Sequence, residues 1–247
     1  MGPGLVVALL LLTALAAGAG WASGLGQHRP IVMAALRATV QLAVVSAVLV
    51  AVIGSLWLSA LFVLLMLTVA ATTAAGRVTG LPVRTPGVLR RASVAGAAVL
   101  TGAAPVVALV LASGSVPLRG EAVIPVAGIV IGGAMTATSL AGRRLRDELH
   151  QRRGEVDAAL ALGFLRHDAV LEIARPVAAT ALVPALDQTR TVGLVTLPGA
   201  FVGVLLGGGS AAEAGAAQLL VLVGLLGAEA LAVWVTLELV ARGELDS

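Results

Sequence analysis

The longest stretch without a charged side chain runs from Ala38 to Gly76, which is 39 residues. A helix that crosses the hydrocarbon core of a bilayer, which is about 30 Å thick, needs roughly 20 apolar residues. The stretch is therefore too long for one span and suits two, joined as a helical hairpin near Gly54 and Ser55. This feature predicts an integral membrane protein.

The composition agrees with this prediction. Apolar residues make up 59% of the chain and charged residues 12%, whereas a soluble domain carries about 25% charged residues. Cysteine is absent, which excludes disulfides and thiolate metal sites. All 16 basic residues are arginines, and a net charge of +3 is too small to indicate a nucleic acid as partner.

Seven uncharged stretches are long enough to span a bilayer, so we predict an all-α membrane protein, a single polytopic domain over residues 1–247. They cover approximately residues 4–25, 38–55, 57–76, 93–113, 121–141, 178–206 and 214–238. The first stretch could instead be a cleaved signal peptide. It has no basic region before it and about 20 apolar residues exceed the usual signal core, so we expect it to remain as a span.

The arginines predict the orientation of these spans. They are concentrated in the loops with odd numbers, except that Arg119 stands alone in the fourth loop. The residues are Arg29 and Arg37 in the first loop, Arg77, Arg84, Arg90 and Arg91 in the third, and seven more in the fifth. Because cytoplasmic loops are enriched in arginine, we expect a multi-pass protein of the cell membrane with its N-terminus outside and its C-terminus in the cytoplasm.

The fifth loop, residues 142–176, holds 13 of the charged residues. Its first part predicts a helix that continues the fifth span, with four charge pairs at i, i+4 spacing. The pairs are Arg143–Asp147, Arg144–Glu148, Glu148–Arg152 and Arg153–Asp157. A helix from Glu121 to Arg153 would be about 50 Å long and would protrude from the membrane. A solvated charged loop is the alternative interpretation.

The second part of this loop contains a more specific spacing. The sequence DAALALG, Asp157 to Gly163, is followed by Ile173 and Pro176. This resembles the EAA loop of ABC transporter permeases, through which a permease docks onto its ATPase, although Arg175 replaces a leucine. The resemblance assigns ATPase coupling to Asp157, Ala158, Ala159, Gly163, Ile173 and Pro176. Small alanines permit close helix approach, Gly163 permits a turn, and we expect Pro176 to begin the next span. An alanine-rich helix that ends at glycine is also common without this function.

Three further segments extend the resemblance from about residue 30 to 240. RATVQL (37–42), AMTATSLAGRRLRDEL (134–149) and VGLVTLPG (192–199) are similar to the FetB-type metal (iron) export permease family, which is related to plant aluminium-sensitivity permeases. The resemblance implies a permease homodimer in the lipid bilayer, docked to separate ATPase subunits that bind ATP and Mg²⁺, with a metal ion as the solute. Gly133, Asp187 and residues 200–204 depart from the family pattern.

The chain lacks the residues of a motor or an enzyme. A phosphate-binding P-loop needs a lysine, and none is present, so we expect no cofactor in this chain and ATP hydrolysis in a partner. An ion-coupled secondary transporter is the alternative, favoured by the ionisable residues Asp187, Arg190 and Glu229 within apolar segments. A membrane-embedded enzyme is a weaker alternative because His28, His150 and His167 are scattered. Import and export both remain open.

Polar residues within the sixth segment predict the transport pathway. The candidates are Asp187, Gln188, Arg190, Thr191, Pro198 and Gly199. We expect a break at Pro198–Gly199, because residues 177–206 exceed one span. Asp187 and Arg190, three residues apart, can pair on one helix face and line the path of a cationic solute. A purely structural ion pair, or an Arg190 that snorkels to the interface, is the alternative.

Overall fold

The structure is a computed structural model that describes residues 2–81 and 87–245. Over these ranges it is α-helical, and the only β feature is an isolated bridge between Val192 and Thr196. The helices are α1 (Pro3–Ala22), α2 (His28–Val52), α3 (Leu56–Thr79), α4 (Val88–Ala112), α5 (Gly120–Gln151), α6 (Arg153–Ala161), α7 (Arg166–Ala179), α8 (Val183–Thr191), α9 (Gly199–Leu206) and α10 (Ala211–Ala241). A 3₁₀ turn, Thr180–Leu182, joins α7 to α8. The all-α prediction is confirmed.

The chain divides into two compact units, Met1–Gly54 and Ser55–Ser247. The first unit is the pair α1 and α2, whose closest approach lies at Gly20. A Cβ atom on Gly20 would lie 3.1 Å from Cδ1 of Ile31 and 3.5 Å from the amide nitrogen of His28, so this glycine faces the start of α2. The boundary between the units falls at the break that the sequence predicted near Gly54 and Ser55, and the Ser55 hydroxyl accepts a hydrogen bond from the amide of Leu58 at the start of α3.

Seven helical segments are long and apolar enough to span a bilayer, which confirms the predicted number. The sixth differs from its predicted range, because it runs over Arg166–Thr191 rather than 178–206. The prediction that Pro176 begins this span is wrong: Pro176 lies inside α7, on its exposed side. The apolar face of α7 packs against the bundle from Ala169 onwards, so the helix is already part of the span before the proline.

The centre of the second unit is built from small side chains on α3, α4, α5 and α10. The buried alanines are Ala70, Ala74, Ala75, Ala92, Ala95, Ala103, Ala127, Ala134, Ala228 and Ala232. Small residues let helix backbones approach closely, and close packing is what drives helix association inside a bilayer. At Gly102, α4 lies directly against the backbone of α10. A Cβ atom at this position would lie 2.5 Å from the carbonyl oxygen of Ala228.

A second buried cluster lies where α5 leaves the apolar stretch. The side chain of Leu145 is fully buried there, among residues of α3, α7 and α10 and Leu245. The cluster includes Val78, Val170, Leu171, Ala174, Val240 and Leu245. These contacts fix the end of α5 to the beginning of α7 and the end of α10.

Polar contacts join five helix ends on the side of the second unit where the Leu145 cluster lies. We call this side the arginine end. Arg146 of α5 donates hydrogen bonds to the carbonyl oxygens of Val78 and Thr79 at the end of α3. His167 Nε2 lies 3.2 Å from Glu238 Oε1, which joins α7 to α10. Arg90 of α4 lies 3.0 Å from Glu244 beyond α10. The third and fifth loops and the C-terminal segment therefore share one side, as seven alternating spans require; Arg84 lies outside the described residues.

Candidate functional site

The fifth loop forms a helix–turn–helix at the arginine end. We call residues 153–166 of it, which are α6, the turn and the first residue of α7, the α6 knob. Two hydrogen bonds close the end of α6: the amide of Phe164 donates to the carbonyl of Ala159 at 3.1 Å, and that of Gly163 donates to Leu160 at 3.0 Å. This pair of bonds is the Schellman motif, which satisfies the last carbonyl groups of a helix and reverses the chain.

Gly163 adopts φ +91°, within the left-handed region that glycine favours. A Cβ atom at this position would meet no other atom within 4 Å. The glycine is therefore required by the backbone conformation and not by crowding from another helix. The sequence prediction of a turn at Gly163 is confirmed, and its physical reason is the Schellman motif.

The α6 knob presents large apolar side chains to its surroundings. Leu162 is 81% exposed and Leu165 is 71% exposed, and Leu160 and Phe164 are exposed beside them. No residue of α6 is buried. Because the arginine end carries the charges of the third and fifth loops, these side chains lie outside the apolar spans, where exposed apolar patches mark contact surfaces.

Arg152 holds the α6 knob to the end of α5. Its Nε lies 2.7 Å from Glu155 Oε1, and its Nη1 lies 3.4 Å from Glu148 Oε1. The hydrogen bond from Arg152, together with its positive charge, lowers the pKa of the Glu155 carboxyl below its usual value. The same contact raises the pKa of the Arg152 guanidinium, first through Glu155 and then through Glu148.

Of the four charge pairs predicted for this loop, the described residues form one, Glu148–Arg152. Arg143 instead donates to the carbonyl of Ser139, and Arg144 donates to the hydroxyl of Thr180 at 2.6 Å. Arg144 thereby connects α5 to the 3₁₀ turn of the sixth span. Arg143 and Arg144 therefore use their guanidinium groups on other acceptors, one within α5 and one in the sixth span.

The residues assigned to coupling fall into two groups. Asp157 and Ala158 lie exposed on α6, and Gly163 forms the turn that follows. Ile173 is buried against the bundle in α7, and Pro176 lies three residues further on. Asp157 also borders a cleft of about 700 Å³ between α6 and the ends of α3, α5 and α7. The first group can contact another protein, whereas Ile173 fixes α7 to its neighbours.

The predicted ion pair in the sixth span is present. Arg190 Nη1 lies 3.6 Å from Asp187 Oδ1 in α8, and both side chains are exposed. The Thr191 hydroxyl donates to the carbonyl of Asp187 at 2.9 Å, so it is engaged in the last turn of the helix. The described chain does not bury this pair between helices.

The segment is broken as predicted, but the break begins earlier, because α8 ends at Thr191 and Pro198–Gly199 lies where α9 begins. Pro198 is the extended N-cap residue of α9, which begins at Gly199. The buried side chain of Gln218 in α10 accepts a hydrogen bond from the amide of Phe201 at 3.2 Å. That contact satisfies one of the free amides at the start of α9 and fixes this short helix to α10.

A second cleft lies within the spans, between α5, α8 and α10, and has a volume of about 250 Å³. Gln188 is the member of the predicted pathway set that lines it. The other polar side chains are those of Thr136 and Glu229, and the walls include Ile129, Leu140, Pro184 and Leu225. Glu229 did not belong to the predicted pathway set, although a lone acidic residue deep in an apolar helix is the sequence signal that would have found it.

Within the described ranges, no group of three or more histidine, cysteine, aspartate or glutamate side chains is arranged to hold a metal ion. This agrees with the absence of cysteine from the whole sequence.

The fold and these sites define a multi-pass α-helical membrane protein with an exposed helix–turn–helix at one end of its bundle. Residues 4–244 match the family described as "Uncharacterised protein family (UPF0014)", and the chain belongs to that family.

Relatives support this membership. The chain is 34% identical over 225 residues, 90% of its length and 76% of the relative's, to "UPF0014 membrane protein STAR2" of Oryza sativa subsp. japonica. It is 32% identical over 224 residues, 90% of its length and 79% of the relative's, to "Protein ALUMINUM SENSITIVE 3" of Arabidopsis thaliana. It is also 33% identical over 111 residues, 45% of its length and 43% of the relative's, to "Probable iron export permease protein FetB" of Escherichia coli strain K12. No solved structure matches the chain.

Proposed function

We propose that this protein is the membrane-spanning permease subunit of an ABC transporter, which couples ATP hydrolysis by a separate ATPase subunit to the movement of a solute. The observation that carries the proposal is the α6 knob, which has exposed leucines outside the spans and no buried residue in α6. A chain without lysine has no P-loop of its own.

The contacts around the α6 knob suit the transmission of force. The hydrogen bonds of Arg152 connect α6 to α5, and the buried face of α7 packs on α5 and α10. Movement of a docked ATPase would therefore reach three spans through α6 and α7 as a rigid-body displacement. Two copies of the chain, each with one ATPase, form the proposed assembly.

The solute is a proposal at the level of its class. One relative's name contains the words "iron export permease", so a metal ion is the first solute to test. Export is the direction that this name supports. In this scheme Asp187, Gln188, Arg190 and Thr191 lie along the pathway, and the break at Pro198–Gly199 lets α9 turn back towards α10.

Docking through the α6 knob is tested by replacing Gly163 with leucine. A non-glycine residue at φ +91° carries a strain of about 1–3 kcal/mol, so the turn should open and the chain should retain about tenfold less ATPase on co-purification. Gly154→Leu is the matched control, because Gly154 lies within α6 and a Cβ there meets nothing within 4 Å. The measurement is the amount of P-loop ATPase that mass spectrometry finds with the purified chain.

A photo-crosslinking residue at position 162 identifies the contact directly. We expect a P-loop ATPase in the crosslinked product, and none when the same residue replaces Leu118, which is exposed in the loop between α4 and α5. The proposal fails if no P-loop ATPase is crosslinked from position 162, or if Gly163→Leu retains the ATPase as well as Gly154→Leu does.

The orientation is tested by single cysteines at the two ends of the chain, which has no native cysteine. The arginine-rich ends of α3, α4, α5 and α10 share one side, and that side should be cytoplasmic. We expect a cysteine before α1 to react with a membrane-impermeant maleimide in intact cells. A cysteine after α10 should react only in inverted vesicles. Labelling of the C-terminal cysteine in intact cells would contradict the orientation.

A further inference from the structure

The cleft between α5, α8 and α10 contains one acidic side chain, Glu229. Glu229 is only 9% exposed, and it lies twelve residues before the end of α10 at Ala241, about 18 Å along the helix. Within residues 2–81 and 87–245 its carboxylate makes no hydrogen bond and no ion pair. A buried carboxylate without a partner is costly inside a membrane, and such residues mark ligand or ion pathways.

The backbone of α5 is shaped to leave room beside this carboxylate. A Cβ atom on Gly133 would lie 3.0 Å from Glu229 Oε1 and 2.2 Å from Cδ1 of Leu225. A larger residue at position 133 would force the side chain of Leu225 to move and would press on the Glu229 carboxylate. Glycine therefore keeps the carboxylate open towards the space that Gln188 and Thr136 also border.

The polar atoms in the cleft favour a cation that needs few ligands. Glu229 offers a carboxylate, Gln188 an amide oxygen, and Thr136 a hydroxyl whose proton is donated to the carbonyl of Gly132 at 2.9 Å. Ca²⁺ takes about six to eight oxygen ligands, more than the three polar side chains of the cleft supply. Along the described chain, no arginine or histidine lines the cleft to neutralise Glu229.

The remaining walls are apolar and suit hydrocarbon. Ile129, Leu140 and Leu225 border the cleft, together with Pro184. A volume of about 250 Å³ lies just below the range of about 300–1,000 Å³ that is usual for pockets of drug-sized ligands. A small amphiphilic molecule with one positive charge matches both the apolar walls and the single carboxylate.

We propose that this cleft binds a small organic ammonium ion, whose charged group pairs with Glu229 and hydrogen bonds to Gln188 while its hydrocarbon part contacts the apolar walls. This inference rests on the proposed transport function, because it names the class of solute that the permease would move. It adds an organic cation to the metal ion proposed above as a candidate solute, assigns charge selection in the cleft to Glu229, and leaves the choice between the two classes to the competition experiment below.

The experiment uses the absence of native cysteine. Ala185→Cys places a thiol in the cleft, and Ser115→Cys places a reference thiol in the loop between α4 and α5. The purified chain is treated with a cationic methanethiosulfonate, aminoethyl methanethiosulfonate, or with the anionic sulfonatoethyl reagent. The rate of each reagent at the cleft thiol is divided by its rate at the reference thiol. We expect this corrected rate to be about tenfold higher for the cationic reagent than for the anionic one.

Removal of the carboxylate should abolish this preference. In Glu229→Gln the corrected ratio should fall to about one, whereas in Glu121→Gln, which neutralises an exposed acid at the start of α5, it should stay unchanged. If Ala185→Cys does not elute as a folded species in gel filtration, Thr136→Cys serves as the reporter. An equal ratio with and without Glu229 would overturn the proposal.

Competition decides the class of cation. We expect n-butylammonium to slow modification of the cleft thiol, and Mg²⁺ and Fe²⁺ at the same concentration to leave the rate unchanged. Protection by a divalent ion and not by n-butylammonium would overturn the organic class in favour of a metal. These measurements need no ATPase, so they can fail while docking through the α6 knob succeeds, and the reverse also holds.

Discussion

Replacing Gly102 with alanine should lower the melting temperature of the solubilised protein clearly, because the new methyl group has no space. Its carbon would lie 2.5 Å from the carbonyl oxygen of Ala228, 3.0 Å from the Cβ of Ala232 and 3.3 Å from the Cβ of Ala134. The nearest atom belongs to the backbone of α10, so a rotamer change cannot relieve the clash and α4 must move away. Overpacking of this kind costs about 1–3 kcal/mol.

Gly215→Ala is the control for this experiment. Gly215 also lies in a spanning helix, α10, but a Cβ there meets nothing within 4 Å. Alanine is favoured over glycine in a helix by about 0.5–1 kcal/mol, so this variant should melt at the wild-type temperature or above it. Thermal unfolding followed by tryptophan fluorescence measures both. Equal melting temperatures for the two variants would show that α4 and α10 do not meet at Gly102.

Replacing Leu145 with alanine should also strongly lower the free energy of unfolding. The Leu145 side chain is fully buried in the cluster that joins α5 to α3, α7 and α10 at the arginine end. Loss of a buried leucine costs about 2–5 kcal/mol, because contacts are lost and a cavity remains. The cluster supports the base of the α6 knob, so cleavage by trypsin at the arginines of residues 152–166 should also become faster.

Leu89→Ala is the matched control, because Leu89 lies in α4 at the arginine end and is 84% exposed. That variant should keep the wild-type free energy of unfolding and the wild-type rate of cleavage. The free energy of unfolding reports the stability of the whole protein, and the cleavage rate reports local loss of structure at the α6 knob. If cleavage of Leu145→Ala is no faster than that of Leu89→Ala, the cluster does not support the α6 knob.

Some features followed from the sequence because they depend on short-range chemistry. Seven spans could be counted from uncharged length, since a bilayer demands about 20 apolar residues from each helix, whatever its neighbours are. The turn at Gly163 and the break at Pro198–Gly199 were predicted because glycine and proline act on their own backbone. The pair Asp187–Arg190 was predicted because residues three apart share a helix face.

Other features depended on which helices meet, and sequence spacing does not contain that information. Pro176 was placed at the start of a span because its chemistry permits it, yet Val170 and Ala174 already pack in a buried cluster with α5 and α10 before the proline. Arg144 was predicted to pair with Glu148 along α5, but it donates instead to Thr180 in the 3₁₀ turn of the sixth span.

The sequence by itself determined that this chain crosses a membrane about seven times, places 13 of its 29 charged residues in one loop and turns there at a glycine. Each of these properties is set within one helix or one turn. Only the tertiary structure decided that Gly102 fits against the carbonyl of Ala228 and that Gly133 leaves space beside Glu229. Those contacts join residues far apart in the chain, and their energy depends on separations of a few tenths of an ångström between packed helices.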